Sequence, residues 1–216
     1  MFEDICQVNV EKDGLHFDLK SVSIMDIQQD EEYKGKRIKV ICYLGKARIP
    51  LQIDIGFGDV IIPKSIKTLF PVLLEFPAPQ IYAYPKETVI AEKLQAMIFL
   101  GIRNSRMKDF YDIHVMMNEF YFLGDLLVQS IRATFKRRDT PFPDQIPFVF
   151  TEDYAKEKQI QWQAFLRKTH LNINSNFFQI INDLGLFLTQ PLDYASKNEK
   201  FLCVWNKGVP WKSVGK

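Results

Sequence analysis

At Lys86 the hydrophobic period of the chain changes, and that change limits the folds open to it. Upstream, the apolar residues come in short runs rich in β-branched and aromatic side chains: Cys6–Val10, Leu15–Leu19, Arg37–Leu44 and Arg48–Phe57. These read as strands, separated by turn signals at Asp13-Gly14, Lys34-Gly35 and Leu44-Gly45-Lys46. The short Gly45 turn predicts a hairpin of the Arg37 and Arg48 strands, and Ile38, Val40 and Cys42 alternate with Lys39, Ile41 and Tyr43, so both faces are expected to be partly covered. Between Pro63 and Pro85 lie Pro71, Pro77 and Pro79, a density that rules out a long helix or a central strand. A short helix around Ile66–Leu69 in an otherwise irregular segment is expected there. Downstream, the spacing predicts helices over Glu87–Leu100, Arg106–Glu119, Gly124–Arg138, Thr151–Arg167 and Ser175–Leu188, with a loop-rich tail after Gln190. Strands followed by helices argue for an α+β fold, with a strand-rich part over 1–85 and a helical part over 86–216.

Composition narrows the setting. The formal charge of +2 is too small to indicate a nucleic-acid partner, so any such argument rests on local clusters. Arg132, Lys136, Arg137 and Arg138 form one cluster; Arg103, Arg106 and Lys108 form another. Each fits a phosphate-binding patch, and the first fits equally a cationic helix end that complements the dipole. Cys6, Cys42 and Cys203 are widely spaced and make no zinc pattern with His16, His114 or His170, which fits a reducing compartment. No apolar run is long enough for a membrane span, and the start has no basic region of the signal-peptide kind. A cytoplasmic protein is expected.

Three charged residues break their local pattern. On a helix over Glu87–Leu100, Val89, Ile90, Met97 and Leu100 form a stripe with Lys93 inside it, while Glu92 and Gln95 fall on the polar side. Lys93 either snorkels at the core edge or points a cation into a site. On the next helix Phe110, Ile113, Met116 and Met117 form the apolar face. Asp109 lies within it and Asp112 at its boundary. A carboxylate there needs a salt bridge, the helix dipole, or a ligand. On the strand Gln52–Phe57, Asp54 stands opposite in facing to Ile53 and Ile55, either as a solvated aspartate or as a site carboxylate beside Gly56 and Gly58. Two carboxylates and a lysine suit a phosphate with Mg²⁺.

The segment Tyr84-Pro85-Lys86-Glu87-Thr88-Val89-Ile90-Ala91-Glu92-Lys93-Leu94-Gln95-Ala96 resembles the P-x-E-T-V-x-A-E-K-L-x-A block of the AbiEii/AbiGii toxin family. Asn104-Ser105-Arg106-Met107-Lys108-Asp109-Phe110-Tyr111-Asp112 is similar to its R-x-K-D-x-x-D motif, and Leu51 to Asp59 to its preceding strand. Trp205, Gly208, Pro210 and Trp211 also fit. The resemblance implies a partial polymerase-β-like nucleotidyltransferase sheet followed by a helical C-terminal part. It implies a toxin of a bacterial toxin–antitoxin or phage-defence system, with a cognate antitoxin, that transfers nucleotides from NTP to an acceptor such as tRNA. Lys93, Asp109 and Asp112 correspond to catalytic positions, Lys93, Arg106 and Lys108 to nucleotide contacts, and Asp54 to a Mg²⁺ ligand. The family's leading Gly-Gly/Ser-rich turn and Asp-x-Asp strand have no counterpart before Val10. The resemblance therefore also admits a catalytically inactive fragment or pseudoenzyme that binds RNA or an antitoxin.

Overall fold

The computed structural model describes residues 2–8, 10, 13–28, 34–171, 173 and 176–214. They form two compact units, Met1–Asp59 and Val60–Lys216. Residues 60–85, expected with the strands, thus group with the helices. The architecture is mixed α+β with antiparallel sheets.

The first unit opens with a short helix, α1 (Phe2–Cys6), where a strand over Cys6–Val10 was expected. A three-stranded meander follows: β1 (Leu15–Gln28), β2 (Lys34–Leu44) and β3 (Ala47–Gly56), in that order. Gly45 adopts a φ of 58° at the turn that pairs Leu44 with Ala47, so the expected hairpin forms. Lys34-Gly35, read as a turn, lies inside β2, where Gly35 pairs with Ile27 and Lys34 with Gln28. β1 runs well past Leu19: its register shifts between Asp18 and Ser23, and pairing with β2 resumes from Ser23 to Gln28. The Ser21 hydroxyl fills the gap: it donates to the Asp18 carbonyl (2.6 Å) and accepts from the Ile41 amide (2.8 Å). Ile38, Val40 and Cys42 are buried, while Arg37, Ile41 and Tyr43 on the other face are half-buried.

In the second unit the proline-rich segment forms a two-stranded ribbon, β4 (Ile66–Leu69) with β5 (Gln80–Ala83), and not a helix at Ile66. Ile-Lys-Thr-Leu is too short to nucleate a helix alone, whereas four residues suffice to pair across a ribbon. Pro71, Pro77 and Pro79 fall outside the paired residues, so no ladder bond is lost. The helices are α2 (Lys86–Leu100), α3 (Met107–Glu119), α4 (Gly124–Arg137), α5 (Glu152–Thr169) and α6 (Phe177–Ser196). Thr151 caps α5, its hydroxyl accepting from the Tyr154 amide. Asn176 and Gln179 form a reciprocal capping box at α6, so α6 begins later than Ser175, itself outside the described residues.

The tail is not loop-rich. α6 continues through Pro191, and three strands then form a sheet in the order β6 (Tyr121–Leu123), β7 (Cys203–Asn206), β8 (Val209–Ser213). Pro191 has no amide hydrogen for the carbonyl four residues back, that of Phe187. Trp211 Nε1 donates to that carbonyl at 2.8 Å and satisfies it. The same hairpin closes the end of α3: Trp205 Nε1 (2.7 Å) and the Gly208 amide (2.8 Å) both donate to the Met117 carbonyl. The core lies among α2, α3, α4 and α6, centred on Ile90, Leu94, Phe110, Ile131, Leu184 and Phe187.

Candidate functional site

The helices α2 and α3 build the charged cluster. Glu87 in the first turn favours the start of α2, and Gly101 (φ 50°) ends it. Ile90, Ala91, Leu94 and Met97 are fully buried, and Lys93 sits beside that stripe with its side chain 16% exposed. Gln95, placed on the polar side by the helical period, is buried too: its amide donates to the Thr140 hydroxyl at 2.7 Å. α2 is packed against α4 on that side as well as against α3, so a single-stripe reading understates its burial. Glu92 takes the Arg138 guanidinium (2.9 Å) and the Thr134 hydroxyl (3.2 Å), tying α2 to α4.

Ahead of α3, the side-chain oxygen of the buried Asn104 accepts from the Arg106 amide at 2.8 Å and sets the entry of the helix. Asp109 then falls in the first turn, where the dipole favours a carboxylate, and Asp112 one turn later on the same face. Lys93 Nζ bridges them, 2.6 Å from Asp109 Oδ1 and 2.8 Å from Asp112 Oδ2. Arg106 Nε lies 2.8 Å from Asp109 Oδ2, an ion contact without the alignment of a hydrogen bond, and Lys108 Nζ lies 2.6 Å from Asp112 Oδ2. The result is a row of alternating sign, Arg106–Asp109–Lys93–Asp112–Lys108, with one cation in excess. Burial raises the Asp112 carboxyl, but hydrogen bonds from Lys108 and Lys93 outweigh it and hold the group below its ordinary range. Of the readings offered for Asp109, the structure shows the buried salt bridge, and two of the three Lys93 ammonium protons are used in bonds to Asp109 and Asp112.

Five of the six residues singled out from the sequence therefore come together. Asp54 belongs to the other unit. It stands opposite Arg37, which grips it with two parallel bonds, Nε to Oδ1 and Nη2 to Oδ2, each 2.8 Å. The Arg37 bond holds the Asp54 carboxyl below the usual range. Among the described residues no group of three or more His, Cys, Asp or Glu side chains gathers to hold a metal. The carboxylates do not fit a resident metal in this arrangement, since cations already occupy them.

In the basic cluster at the end of α4, Arg132 and Arg138 are engaged within the protein, while Lys136 and Arg137 are exposed. Arg132 donates to the carbonyls of Ala195 and Glu199, and Arg138 pairs with Glu92. Sequence spacing missed Glu92 and Arg138 as partners because they are 46 residues apart. No helix among the described residues is long and apolar enough to cross a membrane.

Comparison with known proteins agrees with the two motif blocks on α2 and α3. A family model described as the nucleotidyl transferase AbiEii toxin of type IV toxin–antitoxin systems matches residues 1–182. The Trp205–Trp211 block lies beyond that stretch, and its tryptophans act here as donors to helix carbonyls. No curated protein and no solved structure matches. With most of its length matched, including the helices that carry Lys93, Asp109 and Asp112, the chain belongs to the AbiEii nucleotidyl transferase toxin family, a family of toxins paired with antitoxins.

Proposed function

We propose that this chain takes part in nucleotidyl transfer from an NTP to an RNA acceptor such as tRNA, in the cytoplasm, as the toxin of a phage-defence locus. The observation that carries the proposal is the bridging of Lys93 between Asp109 and Asp112 with one ammonium proton left over. Asp109 and Asp112 fix the position of the Lys93 ammonium; Lys93 meets a phosphate oxygen of the NTP, and Arg106 and Lys108 add charge at the rim. In the reaction an acceptor hydroxyl oxygen bonds to the α-phosphorus and the bond to the β-phosphate oxygen breaks. Pyrophosphate leaves with that electron pair, and the hydroxyl proton is released to water. Mg²⁺ in this reading travels with the triphosphate, neutralising its charge.

A second reading, a binding module without turnover, draws on the same ion pairs: carboxylates already engaged by cations hold a lysine well and a metal poorly. The test is label transfer. The chain is incubated with Mg²⁺, each labelled NTP in turn, and total bacterial RNA. Label that enters RNA and is lost in Lys93→Ala supports transfer; label that persists in Lys93→Ala removes Lys93 from the site. RNA retention without label supports the binding module.

A further inference from the structure

An open pocket of about 480 Å³ lies between the start of α3 and one face of α5. From the start of α3 and the two residues before it come Ser105, Arg106, Met107 and Lys108; from α5 come Gln161, Ala164, Phe165 and Lys168, which recur at helical spacing and so share a face. The lining holds three cations and no carboxylate. Arg106 and Lys108 are the two ends of the charged row that contains Lys93. Lys168 is exposed and makes no ion pair among the described residues. Phe165 is half-buried, its ring held against Tyr111 (6.0 Å between centroids) and Trp162 (5.5 Å).

We infer that this pocket seats the end of a single-stranded nucleic acid, a base stacking on Phe165 and the backbone phosphates meeting Lys168, Arg106 and Lys108. Chemistry favours a strand over a free nucleotide. An NTP concentrates its charge at one end, whereas these cations are spread over two helices beside a half-buried aromatic ring that lines the pocket. Spread cations along a groove with an aromatic platform suit a backbone with stackable bases. The pocket also shares Arg106 and Lys108 with the row, so a strand lying in it ends next to Lys93. The inference rests on the proposed transfer reaction for its meaning as an acceptor site, and it assigns α5 a role that Lys93, Asp109 and Asp112 do not supply.

Binding is measured without NTP, from the fluorescence anisotropy of a short fluorescein-labelled single-stranded oligoribonucleotide titrated with the chain. Lys168→Glu is expected to weaken binding on the order of tenfold and to lower the slope of log affinity against log salt by about 0.7, the value of one phosphate contact on a single strand. Phe165→Leu is expected to weaken binding about tenfold through lost stacking. Tryptophan fluorescence on heating checks that each variant is folded; if Phe165→Leu is not, exposed Lys168 carries the test. Each Mg-NTP is titrated alongside. An NTP affinity that falls in Lys168→Glu as much as the RNA affinity makes the pocket a free-nucleotide site and overturns the inference. So does RNA binding that is absent, or that ignores both substitutions. RNA binding that depends on Lys168 in a chain that transfers no label keeps the strand site and rejects the transfer reaction; label transfer with binding indifferent to Lys168 does the reverse.

Discussion

Replacing Lys93 by Met keeps the length of the stem and removes the charge that joins two helices. The structure sets the expected cost. Asp109 has a side chain 5% exposed and loses a contact of 2.6 Å, keeping only the Arg106 ion contact; Asp112 is 20% exposed and keeps Lys108. Stripping one partner from a fully buried pair costs about 3–5 kcal/mol, and an exposed pair is worth about 0–1 kcal/mol. One arm of this bridge is buried and the other half-open, and a cation survives on each, so about 2–3 kcal/mol is expected. The three tryptophans, Trp162, Trp205 and Trp211, all lie in the unit Val60–Lys216, so urea unfolding followed by their fluorescence reports on the unit that holds the bridge. The double variant Lys93→Met with Asp109→Asn removes both charges. It is expected to be less destabilised than the sum of the single variants by about 1–2 kcal/mol, because the uncompensated carboxylate is gone. A coupling near zero, or a Lys93→Met chain as stable as the parent, refutes the bridge.

Three further outcomes follow from the same packing. Trp211→Phe leaves the Phe187 carbonyl without its donor and should cost about 1–3 kcal/mol in urea unfolding; adding Pro191→Ala returns a backbone donor and should recover part of it. Gly124→Ala would normally gain about 1 kcal/mol in a helix. Here the added Cβ meets the Phe201 carbonyl at 2.7 Å and the Cys203 carbonyl at 2.9 Å, so a loss of about 1–3 kcal/mol is expected on thermal unfolding. Burial lowers the His114 imidazole and the charge of Asp183 only partly offsets it. The unfolded chain therefore takes up the proton first: stability present above about pH 6.5 falls as the pH drops from there to the folded value. His114→Gln should flatten that part of the stability–pH curve; an unchanged slope removes His114 as its source.

The family was legible because its two blocks are local. Pro85 to Ala96 and Asn104 to Asp112 each lie on one stretch of chain, and the lysine and carboxylates break an apolar stripe that spacing alone exposes. The positions of helices α2 to α5 were likewise readable, since each carries its own period, and α5 also carries its own cap at Thr151. The end of α6 was not, because Pro191 is a stop signal in isolation and only Trp211, twenty residues on, makes it tolerable. The Ile66–Leu69 segment was misread for the same kind of reason: four residues carry no decisive period, and their partner Gln80–Ala83 lies beyond a run of prolines.

By itself, then, the sequence determined the α+β order, the family, and which charged residues stand out from their helices, because those properties depend on neighbours within a few turns. The tertiary structure alone decided how the charges pair. Lys93 meets Asp109 and Asp112 only once α2 and α3 pack together, Glu92 meets Arg138 only across α4, and Asp54 is taken by Arg37 through a register that the sequence does not state. An ion pair needs two groups within a few ångströms, and distance in space between residues far apart in the chain is set by packing, which no single stretch of sequence contains.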